Sequence, residues 1–406
     1  MVRRSKSLRN ASAEGQRRLA YFEEWRDAMV STIRELVEME SPSDDKAAVD
    51  RLSDVVGQKF AALGGAVRIH RANDFGNHLQ VDFAGPTREK SGGKSVLLLG
   101  HYDTVYSMGT LAKMPCLVDG DKLTGPGVLD MKSGIALMLG AIGALRDWHG
   151  SDGNVAEGRG VLPRPVSVLL VSDEEVGSDS SRAITESLAR KAAAVLVLEP
   201  SYGFEGAVKT ARKGVGDYTI RVTGRSSHAG LDFEKGVNAI LELARQIEKV
   251  SRFIDLQKGL TVNVGIVSGG SRTNVVPAEA LAHVDVRIAR MKDAAGIDKK
   301  MRGLRAFNRK CRLEISGGIN RPPMERTAGV AALYAKAVGI ARDLGWRLAE
   351  AAVGGASDGN FTAGMGIPTL DGLGVVGDGA HAVHEHILIS ELPRRAALLA
   401  GLMESV

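Results

Sequence analysis

Three short apolar runs, at residues 95–100, 166–171 and 194–198, each stop abruptly at groups able to hold a cation. The first runs into His101-Tyr102-Asp103, the second into Ser172-Asp173-Glu174-Glu175 and the third into Glu199. Runs of about six apolar residues with polar ends suit strands of a parallel sheet that is covered on both faces. Sheets of that kind gather ligands at the carboxyl ends of their strands. The fold class that follows is α/β, with the chemistry along one edge of a sheet.

The connecting segments fit this layout. Residues 1–20 are polar and read as a loose arm, residues 21–40 carry Trp25, Met29, Ile33 and Val37 at helical spacing, and residues 46–63 form a second helix. Strands are expected near 66–70 and 78–83. An apolar helix is expected at 132–148 and a shorter one at 180–191. The segment 86–95 reads as a polar turn and 149–165 as a long Gly/Pro-rich surface loop.

The pattern changes near Gly214. Alternating strands at 217–223, 261–267, 281–288 and 312–315 are interleaved with helices at 236–250 and 293–309, a β-α-β-β-α-β unit. From Arg326 the alanine-rich helical pattern returns. A chain of 406 residues with 44% apolar content exceeds one ordinary core. The reading is therefore a discontinuous catalytic domain, 1–211 and 322–406, interrupted by a smaller domain at 212–321.

No apolar run reaches the roughly 18 residues that a membrane-spanning helix needs. The first residues are basic without an apolar core or secretory cleavage pattern, so a cytoplasmic location is expected. Cys116 and Cys311 are too few for a disulfide framework and read as inert thiols. The net charge of +5 is spread along the chain, with no basic patch interleaved with aromatics. Neither nucleic acid nor membrane is an expected partner, whereas a small anionic substrate suits a modest positive field.

Five candidate ligands fall at strand ends or Gly-rich turns: His101, Asp130, Glu175, Glu199 and His381. Histidine and carboxylate without thiolate suits zinc or another borderline divalent ion. Five donors exceed one tetrahedral site, but two ions bridged by one carboxylate and one water use them all and leave positions for substrate. Asp130, on its Gly-Pro-Gly loop, is the natural bridge. His101 and Glu199 are assigned to one ion, Glu175 and His381 to the other. Asp103, two residues from His101 along a strand, lies on the same side and can orient the imidazole. Glu174 is the candidate general base and acid, taking a proton from the attacking water and passing it to the leaving nitrogen. His384 and His386 lie close to His381, and composition alone does not choose among them. His70, His78, His149 and His283 read as surface or strand residues.

The segments HYDT (101–104), GPGVLDMK (125–132), SDEEVGS (172–178), LEPS (198–201), SSHAG (226–230) and GAHAVHE (379–385) resemble, in order, the signatures of the di-zinc aminoacylase/carboxypeptidase family. The stretch 101–127 is most similar to bacterial glutamate carboxypeptidases. The resemblance implies a zinc-peptidase-like three-layer catalytic domain with an inserted ferredoxin-like lid and dimerisation domain. It implies two zinc ions per subunit, with cobalt or manganese as substitutes, held by His101, Asp130, Glu175, Glu199 and His381. It places Glu174 as the catalytic carboxylate and Asp103 behind the metal. It also implies that His228 reaches a neighbouring subunit's site in a homodimer, that Asn274, Arg287 and Arg321 grip the substrate carboxylate, and that Gly354 and Gly355 line the substrate.

The expected activity is metal-dependent hydrolysis, by a metal-bridging hydroxide, of an amide bond in an N-acyl amino acid or short peptide, releasing a C-terminal glutamate or aspartate. The alternatives are deacylation of compounds such as acetylornithine and, in another class, a catalytically silent binding protein.

Overall fold

The computed structural model describes residues 11–85, 94–150 and 161–406. Most of the expected turn at 86–95 and of the loop at 149–165 lies outside them. The chain divides into two compact units: residues 1–210, 326–352 and 357–406 form one, and residues 211–325 with 353–356 form the other.

The first unit is built on a six-stranded sheet. Its strands are β1 (Ala66–His70), β2 (His78–Phe83), β3 (Ser95–His101), β4 (Val166–Val171) and β5 (Ala192–Val197), with a short edge strand at Thr369–Leu370. The spatial order is β1-β2-β4-β3-β5 followed by that edge strand. β4, β3, β5 and the edge strand run parallel, while β2 is antiparallel to both of its neighbours, β1 and β4.

Strand periodicity explains the three layers. Val96 and Leu98 point into one core with Ile33, Leu52, Met138 and Leu398 from the helices Arg26–Glu38, Lys46–Ala62, Ser133–Gly150 and Leu392–Ser405. Leu97 and Leu99 point to the opposite face, where they meet Ala189 of the helix Arg182–Ala189. Every second residue faces the other layer, which is why these strands read as unbroken apolar runs. The apolar helical stretch Val128–His149 is mostly buried and serves as a core helix of this unit.

The N-terminal arm expected over residues 1–20 is helical from Ala13. The helices Ala13–Glu24 and Arg26–Glu38 meet at Trp25, where one continuous helix over 21–40 was expected. The first of them buries only Gly15 and Phe22, so its sequence looks polar. It is anchored through its end: the Ser12 side chain accepts from Gly15 N, and Ser12 N donates to Asp343 O at 3.0 Å.

In the second unit β6 (Gly214–Thr223), β7 (Thr261–Gly269), β8 (Glu279–Ile288) and β9 (Arg312–Arg321) form an antiparallel sheet in the order β7-β8-β6-β9. The helices Ala239–Ser251 and Ala294–Arg302 cover one face, packing Leu243, Val250, Ile297 and Met301 onto Tyr218, Ile220 and Val222. This is the ferredoxin-like βαββαβ arrangement. The second helix ends at Arg302, short of the expected 309, because the next segment binds elsewhere: Phe307 N and Asn308 N both donate to the buried Glu242 carboxylate.

Candidate metal centre

Strand register aligns the ligands. His101 of β3 lies opposite Val171 of β4, and Leu198 N donates to Leu99 O, so the ends of β3, β4 and β5 stand side by side. His101, the Glu174–Glu175 turn and Glu199 therefore project from one edge.

His101 is buried. Its Nδ1 lies 3.0 Å from the Asp103 carbonyl oxygen and 3.4 Å from the Asp103 carboxylate. The orienting acceptor is thus shared between backbone and side chain. That leaves Nε2 facing Asp130 Oδ1 at 3.2 Å and Glu199 Oε1 at 3.5 Å. On the other side His381 Nε2 lies 3.2 Å from Glu175 and 3.5 Å from Asp130 Oδ2. The two oxygens of Asp130 are divided between the two histidines. Donor atoms of His101, Asp130 and Glu175 lie within 4.8 Å of one another, and so do those of His101, Glu174 and Glu199. Of the three clustered histidines, His386 turns its Nδ1 to the His384 carbonyl, while His381 faces these carboxylates.

Burial raises the pKa of Asp130, but hydrogen bonds from His101 and His381 outweigh it and hold the carboxyl well below its ordinary range. Burial pushes Glu175 up. Burial disfavours a charged His101, yet Asp103, Asp130 and Glu199 together lift its pKa well above the usual value. Asp130 and then Glu175 raise His381 to about 10. Two imidazoles converge with four carboxylates, His101 in two groups whose donor atoms each lie within 4.8 Å and His381 against Glu175 and Asp130. A divalent cation binds such a set by displacing protons, so the residues present fit a metal pair.

Two carboxylates that hold this arrangement carry no ligand role. Asp103, fully buried, accepts Ser43 Oγ at 2.7 Å, Glu174 N at 3.3 Å and Glu175 N at 3.2 Å. Glu385 accepts Gly127 N at 3.1 Å, Leu129 N at 2.7 Å and Asp130 N at 3.0 Å. It thereby fixes the loop that presents Asp130. That loop needs Gly127, at φ +73°, where a Cβ would lie 2.6 Å from Thr104 Cγ2. The sequence pattern assigns no role to Ser43 or to Glu385, which is visible only within GAHAVHE. Nor does it single out Lys132, which is buried with Nζ donating to the Met39 carbonyl at 2.7 Å, and whose pKa burial lowers to about 7.

The remaining candidates lie in the second unit. His228 is exposed, and its Nδ1 accepts Gly230 N and Leu231 N, both at 3.1 Å, so the ring caps its own turn. Ala229 N donates to the Asn274 carbonyl, which sets Asn274 beside it. Arg287 grips Asp285 through Nε at 2.9 Å and Nη2 at 2.8 Å. Arg321 is buried at the end of β9. Gly355, expected with the catalytic domain, groups with the second unit, where its carbonyl accepts from Arg212 Nη1 at 3.3 Å.

A histidine–carboxylate cluster along the strand ends of a three-layer α/β unit is the build of a metallopeptidase. Residues 97–405 match the model of peptidase family M20/M25/M40, and the chain belongs to this family, an enzyme acting on peptide bonds. It is 31% identical to Carboxypeptidase G2 of Pseudomonas sp. (strain RS-16) over 93% of this chain and 88% of that protein. The fold is shared with a tripeptidase from Staphylococcus aureus (TM-score 0.76, 20% identity, 93% and 98% of the two chains). It is also shared with YxeP of Bacillus subtilis, described as a dinuclear metal-binding M20 peptidase (TM-score 0.67, 15% identity, 94% and 98%).

Proposed function

We propose that this peptidase releases a C-terminal amino acid, glutamate or aspartate in preference, from an N-acyl amino acid or short peptide, using two zinc ions. The observation that carries the reading is the division of Asp130 between His101 and His381, with Glu199 beside the first and Glu175 beside the second. His101 and Glu199 would hold one ion, Glu175 and His381 the other, and Asp130 both. When bound, the ions polarise the scissile carbonyl and bring the pKa of a water toward about 7.

The protein's own part is proton traffic and positioning. Glu174 stands within 4.8 Å of donor atoms of His101 and Glu199, so its carboxylate can accept the proton of the attacking water and return it to the leaving nitrogen. The Asp103 carboxylate holds the backbone of Glu174 and Glu175 while facing His101, so one buried anion positions base and ligands together. The similarity to Carboxypeptidase G2 favours a substrate with a free carboxylate, for which Arg287, Arg321, Asn274, His228 and Gly355 of the second unit are the candidate contacts. The second unit also supports a homodimer: β7 is an edge strand of its sheet and exposes Ile266 and Val267.

The test is a panel of acyl-glutamate, acyl-aspartate and acetylornithine compounds, run with parent and Glu174→Gln protein. Turnover of the first two with release of the free amino acid, lost in the variant while metal content stays, is the expected result. Turnover confined to acetylornithine moves the enzyme to the deacylases, and an active Glu174→Gln protein removes the base assignment.

A further inference from the structure

The turn that carries Glu174 and Glu175 is held from in front by Asp103. It is also held from behind, by a chain of hydrogen bonds that ends on a buried histidine of the neighbouring strand. His78 of β2 is 1% exposed, although its sequence context suggests an ordinary strand residue. Its Nδ1 lies 3.2 Å from Ser172 N and its Nε2 lies 3.0 Å from Ser180 Oγ.

The donors fix the direction of the chain. Ser172 N–H can only donate, so Nδ1 must carry a lone pair and the ring proton sits on Nε2. The Ser172 hydroxyl proton is given to the Gly76 carbonyl. The Nε2 proton therefore goes to Ser180 Oγ, and Ser180 passes its own to Asp173 Oδ2 at 2.6 Å. The same Asp173 oxygen accepts Ser180 N at 2.8 Å and Ser181 N at 3.2 Å. His78 thus grips both ends of the two-residue step Ser172-Asp173 that leads into Glu174. Burial, the largest influence on the ring, lowers its pKa and keeps it neutral, as this bonding pattern requires.

We propose that His78 is a positioning residue for Glu174: through Ser172 directly and through Ser180 and Asp173 in relay, it sets where the Glu174-Glu175 turn leaves β4. The inference rests on the reading of Glu174 as the proton carrier. His78 acts on the placement of that turn and does not itself hold metal, because among the described residues its ring bonds to the two serines and not to a candidate ligand.

The experiment compares zinc-loaded full-length protein with His78→Leu, His78→Gln, Ser180→Ala and the double variant His78→Leu/Ser180→Ala, alongside Glu174→Gln, on an acyl-glutamate substrate. Loss of an outer hydrogen-bond partner costs about 10- to 100-fold in such sites. The expected result is a kcat lower by about that factor in His78→Leu with KM within about threefold and metal content equal to the parent. His78→Gln, which keeps an amide acceptor and donor, should recover part of the loss. Ser180→Ala should show a smaller loss, and the double variant should be no worse than His78→Leu, since the two act in one chain.

A His78→Leu protein with parental kcat, or a double variant whose losses multiply, overturns the inference. So does a loss of melting temperature alone with unchanged kinetics in the cold. Ser180 is exposed, so its variant keeps the test alive where His78→Leu does not fold: a parental kcat in Ser180→Ala then counts against the relay. If Glu174→Gln is inactive while the His78 variants are unaffected, only this inference fails. If Glu174→Gln is active, the underlying reading fails first.

Discussion

At the scale of the residue, the centre is a balance between buried charges, and that balance makes metal binding a proton-releasing event. His381 is lifted to about 10 and His101 well above its ordinary range by the carboxylates around them. In metal-free protein the His381 ring is charged at pH 8, and protonation of His101 is favoured by the same carboxylates. The sign follows: their favourable pairing is complete below about 6.5, the ordinary histidine value, and is lost as pH rises through the raised values. Adding zinc at pH 8 should release protons, seen as a dependence of the calorimetric heat on buffer ionisation enthalpy. A heat independent of buffer would contradict the protonation pattern.

Glu385 is the second residue-scale case. Its carboxylate takes three backbone N–H groups of the loop bearing Asp130 while burial pushes its own pKa up. Glu385→Gln keeps the size and one acceptor oxygen but puts an amide N–H against a backbone donor. Metal affinity should fall about 10- to 100-fold by chelator competition, with the fold retained by circular dichroism. Cys116 and Cys311, by contrast, are both buried and free, and burial raises both thiols, in keeping with inert behaviour.

At the scale of the element, the N-terminal helix shows how packing overrides composition. Gly15 is buried, and a Cβ there would stand 1.9 Å from the carbonyl oxygen of Asp343, a backbone atom that cannot rotate away. Gly15→Ala ought to gain from helix propensity by about 1 kcal/mol. Here it should instead destabilise by about 1–3 kcal/mol, because the helix must lift off to make room. A urea melt of the two proteins decides between the signs. The sequence shows helical spacing from Trp25 onward because Met29, Ile33 and Val37 enter the core, while Trp25 itself stays half exposed. The turns before Trp25 are held by contacts remote in sequence, among them Ser12 N to Asp343 O, Tyr21 to Asp147 and Phe22 against Trp148.

At the scale of the whole molecule, the exposed apolar pair on β7 is the feature that a solution experiment can read. Edge strands with open backbone groups and apolar side chains pair readily, and natural proteins block them with charge. Replacing Ile266 by Glu should convert a dimeric parent into a monomer by light scattering. A monomeric parent, or a variant that stays dimeric, removes β7 from the interface.

The apolar runs with their polar ends announced the parallel strands, and the βαββαβ rhythm announced the second unit, because strand period and turn chemistry are local. The ordered motifs also named the histidines and carboxylates that the structure draws into one cluster. What local pattern does not carry is which oxygen meets which nitrogen. The division of Asp130 between His101 and His381, the hold of Glu385 on the Asp130 loop and the chain from His78 to Asp173 join residues up to 258 positions apart. Those distances close only when strand register and layer packing are complete. The sequence by itself therefore determined the ligand chemistry and the layout of elements, through periodicity and donor type. The tertiary structure alone decided the geometry among the charges, since electrostatics acts across space and not along the chain.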